Sequence, residues 1–220
     1  MNSSAASAGG TLADAYAYLQ KAVGLIAVTL PVIVAIGHSI SSDDGMKGSI
    51  SAYYYTHLGN YFVGSLFALG VFFVSYNYRP APGYEWDFRL SNVAGVMAVG
   101  VALFPTSSEG AEAFGASKTI AVIHLVFAGA LFVLLAVFCL KLFTKTSNVH
   151  AMTEQKRSRN RVYIVCGWVI IAAIALIVIA ELVSPPPAWH SLYWLESIAV
   201  VSFGVSWLIK GGFLGILVDP

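Results

Sequence analysis

The chain has 220 residues, of which 58% are hydrophobic and 10% are Asp, Glu, Lys or Arg, against roughly 25% charged in a typical soluble domain. One water-soluble core of this size does not absorb that much apolar surface, which excludes an ordinary soluble domain and makes lipid the solvent for most side chains. Twelve basic residues balance eleven acidic ones, so there is no concentrated basic face and no nucleic-acid partner is expected.

A hydrocarbon core of about 30 Å needs about 20 apolar residues per helix. Stretches at about 20–40, 59–78, 90–106, 118–143, 162–183 and 188–210 meet or approach that length. They predict an all-α, polytopic transmembrane bundle of six helices that forms a single domain over residues 1–220. The runs are continuously apolar rather than alternating, which favours helices over a barrel.

Met1 to Gly10 has no basic segment ahead of a short apolar one, so no cleavable signal peptide is expected. Pro31 removes a backbone donor from the first span and bends it. In the third span Ala94, Ala98 and Ala102 recur every four positions beside Gly95 and Gly100. Small residues let a neighbouring helix approach closely, which puts this span inside the bundle and leaves a homo-oligomer open. Cys139 and Cys166 lie in apolar runs and read as buried small hydrophobes. Trp189, Tyr193, Trp194 and the run Tyr53-Tyr54-Tyr55 fall at span ends, where aromatic residues anchor in the interface. Pro185-Pro186-Pro187 turns the fifth span into the sixth.

Alternating loops place ten basic residues on one side, including Lys141, Lys145, Lys156, Arg157, Arg159 and Arg161, and only Lys47 and Lys118 on the other. The positive-inside rule then predicts both termini in the cytoplasm, in a bacterial cytoplasmic membrane. The basic run within Thr144–Arg161 reads first as this topology signal and second as a contact for anionic lipid headgroups.

On that topology His38, His57, His124 and His190 all fall at the outer side, with Glu109, Glu112 and Glu196 near them, and only His150 is cytoplasmic. Ionisable groups in a bilayer are expensive and are functional candidates by default. The expected site is an outward-facing pocket that binds a membrane lipid headgroup or a small polar ligand through His124, Glu196, His38, His57, His190 and Tyr54. His124 and Glu196 lie at similar depths and would meet if the fourth and sixth helices were neighbours.

Two other readings stay open. Zinc held by His38, His57, His124 and His190 would make a lipid hydrolase with Glu196 or Glu109 as general base. A proton- or cation-coupled transporter would use Glu196 and His124 as a relay. The enzyme question is undecided by these residues, because no HxxxH pair or other local spacing forces convergence.

The run Gly48-Ser49-Ile50-Ser51 with Asn60-Tyr61-Phe62-Val63-Gly64, then Gly100 to Pro105, then His124 with Phe127-Ala128-Gly129, resembles the six-span prokaryotic membrane proteins grouped as a domain of unknown function. More remotely it is similar to the Frag, DRAM and Sfk type, linked to lipid-anchor remodelling and autophagy. The resemblance implies a six-helix bundle with a shared outer-face signature and assigns no catalytic residue. Seven-span membrane hydrolases of the alkaline ceramidase kind hold zinc through an HxxxH pair on the last helix. Here the last helix has His190 alone.

Overall fold

The computed structural model describes residues 3–76, 85–107, 118–146 and 152–213, with side chains from residue 14 onward. Six α-helices account for most of them: α1 (Ser3–Ser41), α2 (Gly59–Tyr76), α3 (Glu85–Leu103), α4 (Lys118–Val137), α5 (Glu154–Val183) and α6 (Ser191–Lys210). A π-helical turn, Phe138–Leu142, extends α4, and short 3-10 turns occur at Ser51–Tyr55 and Pro187–Trp189.

Five helices are long and apolar enough to cross a membrane; α3 is the exception. The expected third span began at residue 90, but the helix starts at Glu85 and carries Glu85, Asp87 and Arg89 in its opening turns. Asp87 is buried and ion-pairs with Lys145 beyond the end of α4. A partner 58 residues away lets this charged turn remain helical.

Each helix packs on its neighbours in sequence, and α6 closes back on α1, so the six form a ring. Small residues make the close crossings. A Cβ on Gly24 would lie 2.8 Å from the Gly204 carbonyl oxygen, and one on Gly95 would lie 2.8 Å from that of Gly70. Ala94, Ala98 and Ala102 are buried while Val93, Val96 and Leu103 are exposed, so the four-residue repeat marks the face that α3 turns to the bundle, and α3 is a member of the ring rather than a helix enclosed by it.

The ring is filled unevenly. Towards the basic end Phe73, Phe138, Phe143, Phe203 and Trp207 pack ring on ring at 5.1 to 6.5 Å between centroids. Towards the other end the centre holds a cavity of about 60 Å³ lined by apolar side chains of α1, α2, α3, α4 and α6, with Ser51 and Glu196 the polar residues in its wall.

At the basic end the chain reversal after α4 is tied to α5. Lys156 Nζ donates to the Phe143 carbonyl at 3.0 Å, Asn160 Nδ2 donates to that of Thr144 at 3.3 Å, and the Thr153 hydroxyl caps α5 by accepting from Lys156 N–H at 3.1 Å. Lys210 Nζ sits 5.3 Å from the centre of the Phe143 ring. Part of the cationic run therefore holds its own turn.

Candidate functional site at the histidine end

The connection between α1 and α2 folds inward as a plug over the central cavity. Ile50 and Ser51 form part of the cavity wall, and Ile50 N–H donates to Glu196 Oε2 at 2.6 Å. Tyr193 N–H in the first turn of α6 donates to the Gly48 carbonyl at 2.8 Å, and Tyr193 OH donates to that of Pro31 at 2.9 Å. Ala52 N–H donates to Ser49 Oγ at 3.0 Å, and Tyr55 OH to the Thr106 carbonyl at 2.5 Å. Backbone groups away from water need such partners, and the polar residues of this end supply them.

Glu196 is therefore a buried acceptor that holds the plug. Tyr53 and Tyr193, expected as interfacial anchors, are instead core residues at 0% and 3% exposure; the plug carries Tyr53 in beneath it. Burial pushes the Tyr53 phenol above its ordinary range. Trp189 and Trp194 are exposed.

The expected single pocket of four histidines resolves into three places. His38 and His57 come together, their rings stacked at 5.5 Å between centroids. His38 is 2% exposed, Tyr53 meets its ring edge-on at 5.5 Å, and neither of its ring nitrogens has a hydrogen-bond partner. His57 is exposed and its Nε2 is hydrogen-bonded to Ser41 Oγ.

His124 faces α3 instead, with Nδ1 2.6 Å from the Phe104 carbonyl oxygen at that helix's end. Pro105 follows and has no N–H to continue the ladder; the helix ends here, and the Phe104 carbonyl, one of the last carbonyls that a helix leaves without an internal donor, is met by a side chain of α4. His124 and Glu196 do not pair although α4 and α6 both line the central cavity: each has its own backbone partner, Phe104 for His124 and Ile50 for Glu196.

His190 lies at the α5–α6 turn and lines a hollow of about 250 Å³ together with Glu181. Tyr54 is half-buried and its ring packs on Tyr55 at 5.2 Å. Glu109, Glu112 and His150 lie outside the described residues. Among the described residues no three His, Cys, Asp or Glu side chains gather as a metal set.

Sequence reasoning missed Ser41 and Lys47. Ser41 follows His38 by three residues, which puts both on one side of α1 and was a usable signal. Lys47 pairs with Asp44 at 3.8 Å and lies close enough to His38 for its charge to be felt there, a nearness that depends on how the plug folds.

A closed ring of helices, five of them long and apolar enough to cross a membrane, with its polar networks at the two ends, defines an all-helical integral membrane protein. Within that class the chain belongs to the family described as "Protein of unknown function (DUF998)", whose model matches residues 22–211. That match takes in His38, His57, His124, His190 and Glu196. Comparison with curated proteins and with solved structures gave no match.

Proposed function

We propose that the protein is a membrane-embedded binding bundle whose histidine end engages a phosphate-bearing lipid headgroup or a similar small polar ligand at His38 and His57, the basic end being cytoplasmic. The observation that carries this reading is His38, buried with both ring nitrogens unpartnered. Leaving a buried polar group unmade costs about 1–3 kcal/mol, and a neutral imidazole offers one donor and one acceptor. A ligand entering from solvent displaces the exposed His57 ring and hydrogen-bonds both imidazoles. Lys47 and Ser41 at the rim favour an oxyanion such as phosphate. The remoter resemblance to proteins linked to lipid-anchor remodelling accords with a lipid ligand.

The zinc-hydrolase reading needs a third ligand beside His38 and His57 and a base such as Glu109, and no described contact favours it. A transporter needs a polar route past the aromatic packing of Phe73, Phe138, Phe203 and Trp207, and no described group favours that either.

The test is thermal unfolding in detergent with inorganic phosphate or glycerol 3-phosphate as probe. Wild type gains stability in proportion to RT ln(1 + [L]/Kd), and His38→Phe gains none. Equal gains in both proteins, or none in wild type, would refute the assignment.

A further inference from the structure

The hollow at the α5–α6 turn is a different place from the His38 pair, and its lining has a chemistry of its own. It measures about 250 Å³ and is walled by Glu181, Ser184, Pro186, His190, Ser191 and Gly48 among others. Pockets for drug-sized molecules run from about 300 to 1,000 Å³, so the space suits a headgroup rather than a whole lipid. His190 is one of the lining residues, half-buried, and its Nδ1 is buried with no hydrogen-bond partner. The turn is held in an unusual shape, since Ser184 and His190 both have left-handed backbone, at φ 50° and φ 46°. Such conformations persist only where the surroundings enforce them.

We infer that this hollow binds a phospholipid headgroup that carries a primary ammonium beside its phosphate. Three features of the wall choose that class. Glu181 supplies one carboxylate for a cation, and the described wall contains no Lys or Arg, which works against a headgroup whose only charge is negative. His190 and the hydroxyls of Ser184 and Ser191 can donate to phosphate oxygens, and the opening turn of α6 brings the positive end of its peptide dipoles to the same wall. The wall has no Trp, Tyr or Phe to form the aromatic cage that quaternary ammonium groups prefer, so an amine that donates N–H to Glu181 is favoured over choline.

The surroundings identify the source as the membrane. Leu182 and Val183 are 81% and 71% exposed directly beside Glu181, and Trp189 is exposed next to His190. Apolar side chains in that position lie against acyl chains, with the tryptophan at headgroup level. A lipid whose tails run along the end of α5 thus presents its headgroup to the hollow. This site shares no side chain with the His38 pair, so either can hold or fail without the other.

The experiment is native mass spectrometry of the full chain released from detergent with equal amounts of ethanolamine, glycerol and choline phospholipids of identical tails. Wild type is expected to retain the ethanolamine lipid by roughly threefold to fivefold over the others, the size of one partly exposed ion pair. E181Q, at an exposed position where packing is unaffected, is expected to lose that preference, whereas H190F lowers retention of all three. Free phosphoethanolamine at millimolar concentration is expected to leave the lipid bound. The inference is overturned if wild type retains the three lipids equally, if E181Q keeps the preference, or if free phosphoethanolamine displaces the lipid completely.

Discussion

The carboxylate of Glu196 accepts the backbone N–H of Ile50 at 2.6 Å across 146 residues of sequence. This bond fastens the α1–α2 plug to the wall of the central cavity. Glu196→Leu leaves the Ile50 N–H buried without a partner and is expected to cost about 1–3 kcal/mol. Glu196→Gln keeps a carbonyl oxygen in reach and is expected to cost less than half as much. Thermal unfolding of the two variants in one detergent checks the order.

His124 closes the end of α3 by the same kind of contact. His124→Leu preserves bulk but removes the donor to the Phe104 carbonyl, with an expected loss of about 1–3 kcal/mol. The loss should be independent of added zinc if the imidazole serves this bond alone. Unfolding scans with and without the metal measure both quantities.

The helix crossings give a paired test. At Gly24 an added Cβ would lie 2.8 Å from both the Gly204 carbonyl oxygen and the Leu208 nitrogen. Backbone atoms do not yield, so Gly24→Ala is expected to destabilise by about 1–3 kcal/mol. At Gly64 nothing beyond the adjoining backbone of α2 lies within 4 Å of the added carbon, and Gly64→Ala is expected to stabilise α2 by up to about 1 kcal/mol. Unfolding midpoints of the two alanine variants are predicted to move in opposite directions.

His38→Phe separates binding from folding. The ring fills the same space without two buried, unpartnered nitrogens, so the variant without ligand is expected to be at least as stable as wild type. A large loss of stability would mean that the imidazole has a structural bond of its own.

Much of this architecture was legible in the sequence, because hydropathy and length report on a single helix. The small-residue repeat at Ala94, Ala98 and Ala102 reported which face of α3 is buried for the same reason: close approach needs only small side chains on one face. The start of α3 was not legible, since Asp87 is tolerated through Lys145, a distant partner. Topology placed four histidines at one end of the bundle but could not say which would touch. The local partners decide that: His124 takes the Phe104 carbonyl and Glu196 the Ile50 N–H, while His57 stacks on His38. The inward fold of the plug was hidden too: Tyr53 and Tyr193 looked interfacial because nothing in their own neighbourhood announces the bonds to Pro31, Gly48 and Glu196 that bury that end.

The central claim, a ligand site at His38, is tested most directly by nitrogen NMR of histidine-labelled protein, with the His38 signals identified by their loss in His38→Phe. Adding glycerol 3-phosphate is predicted to shift both ring nitrogens of His38 and one or both of His57 while leaving His124 unmoved. Ring signals of His38 that stay fixed at saturating probe, or that move no more than those of His124, would contradict the account.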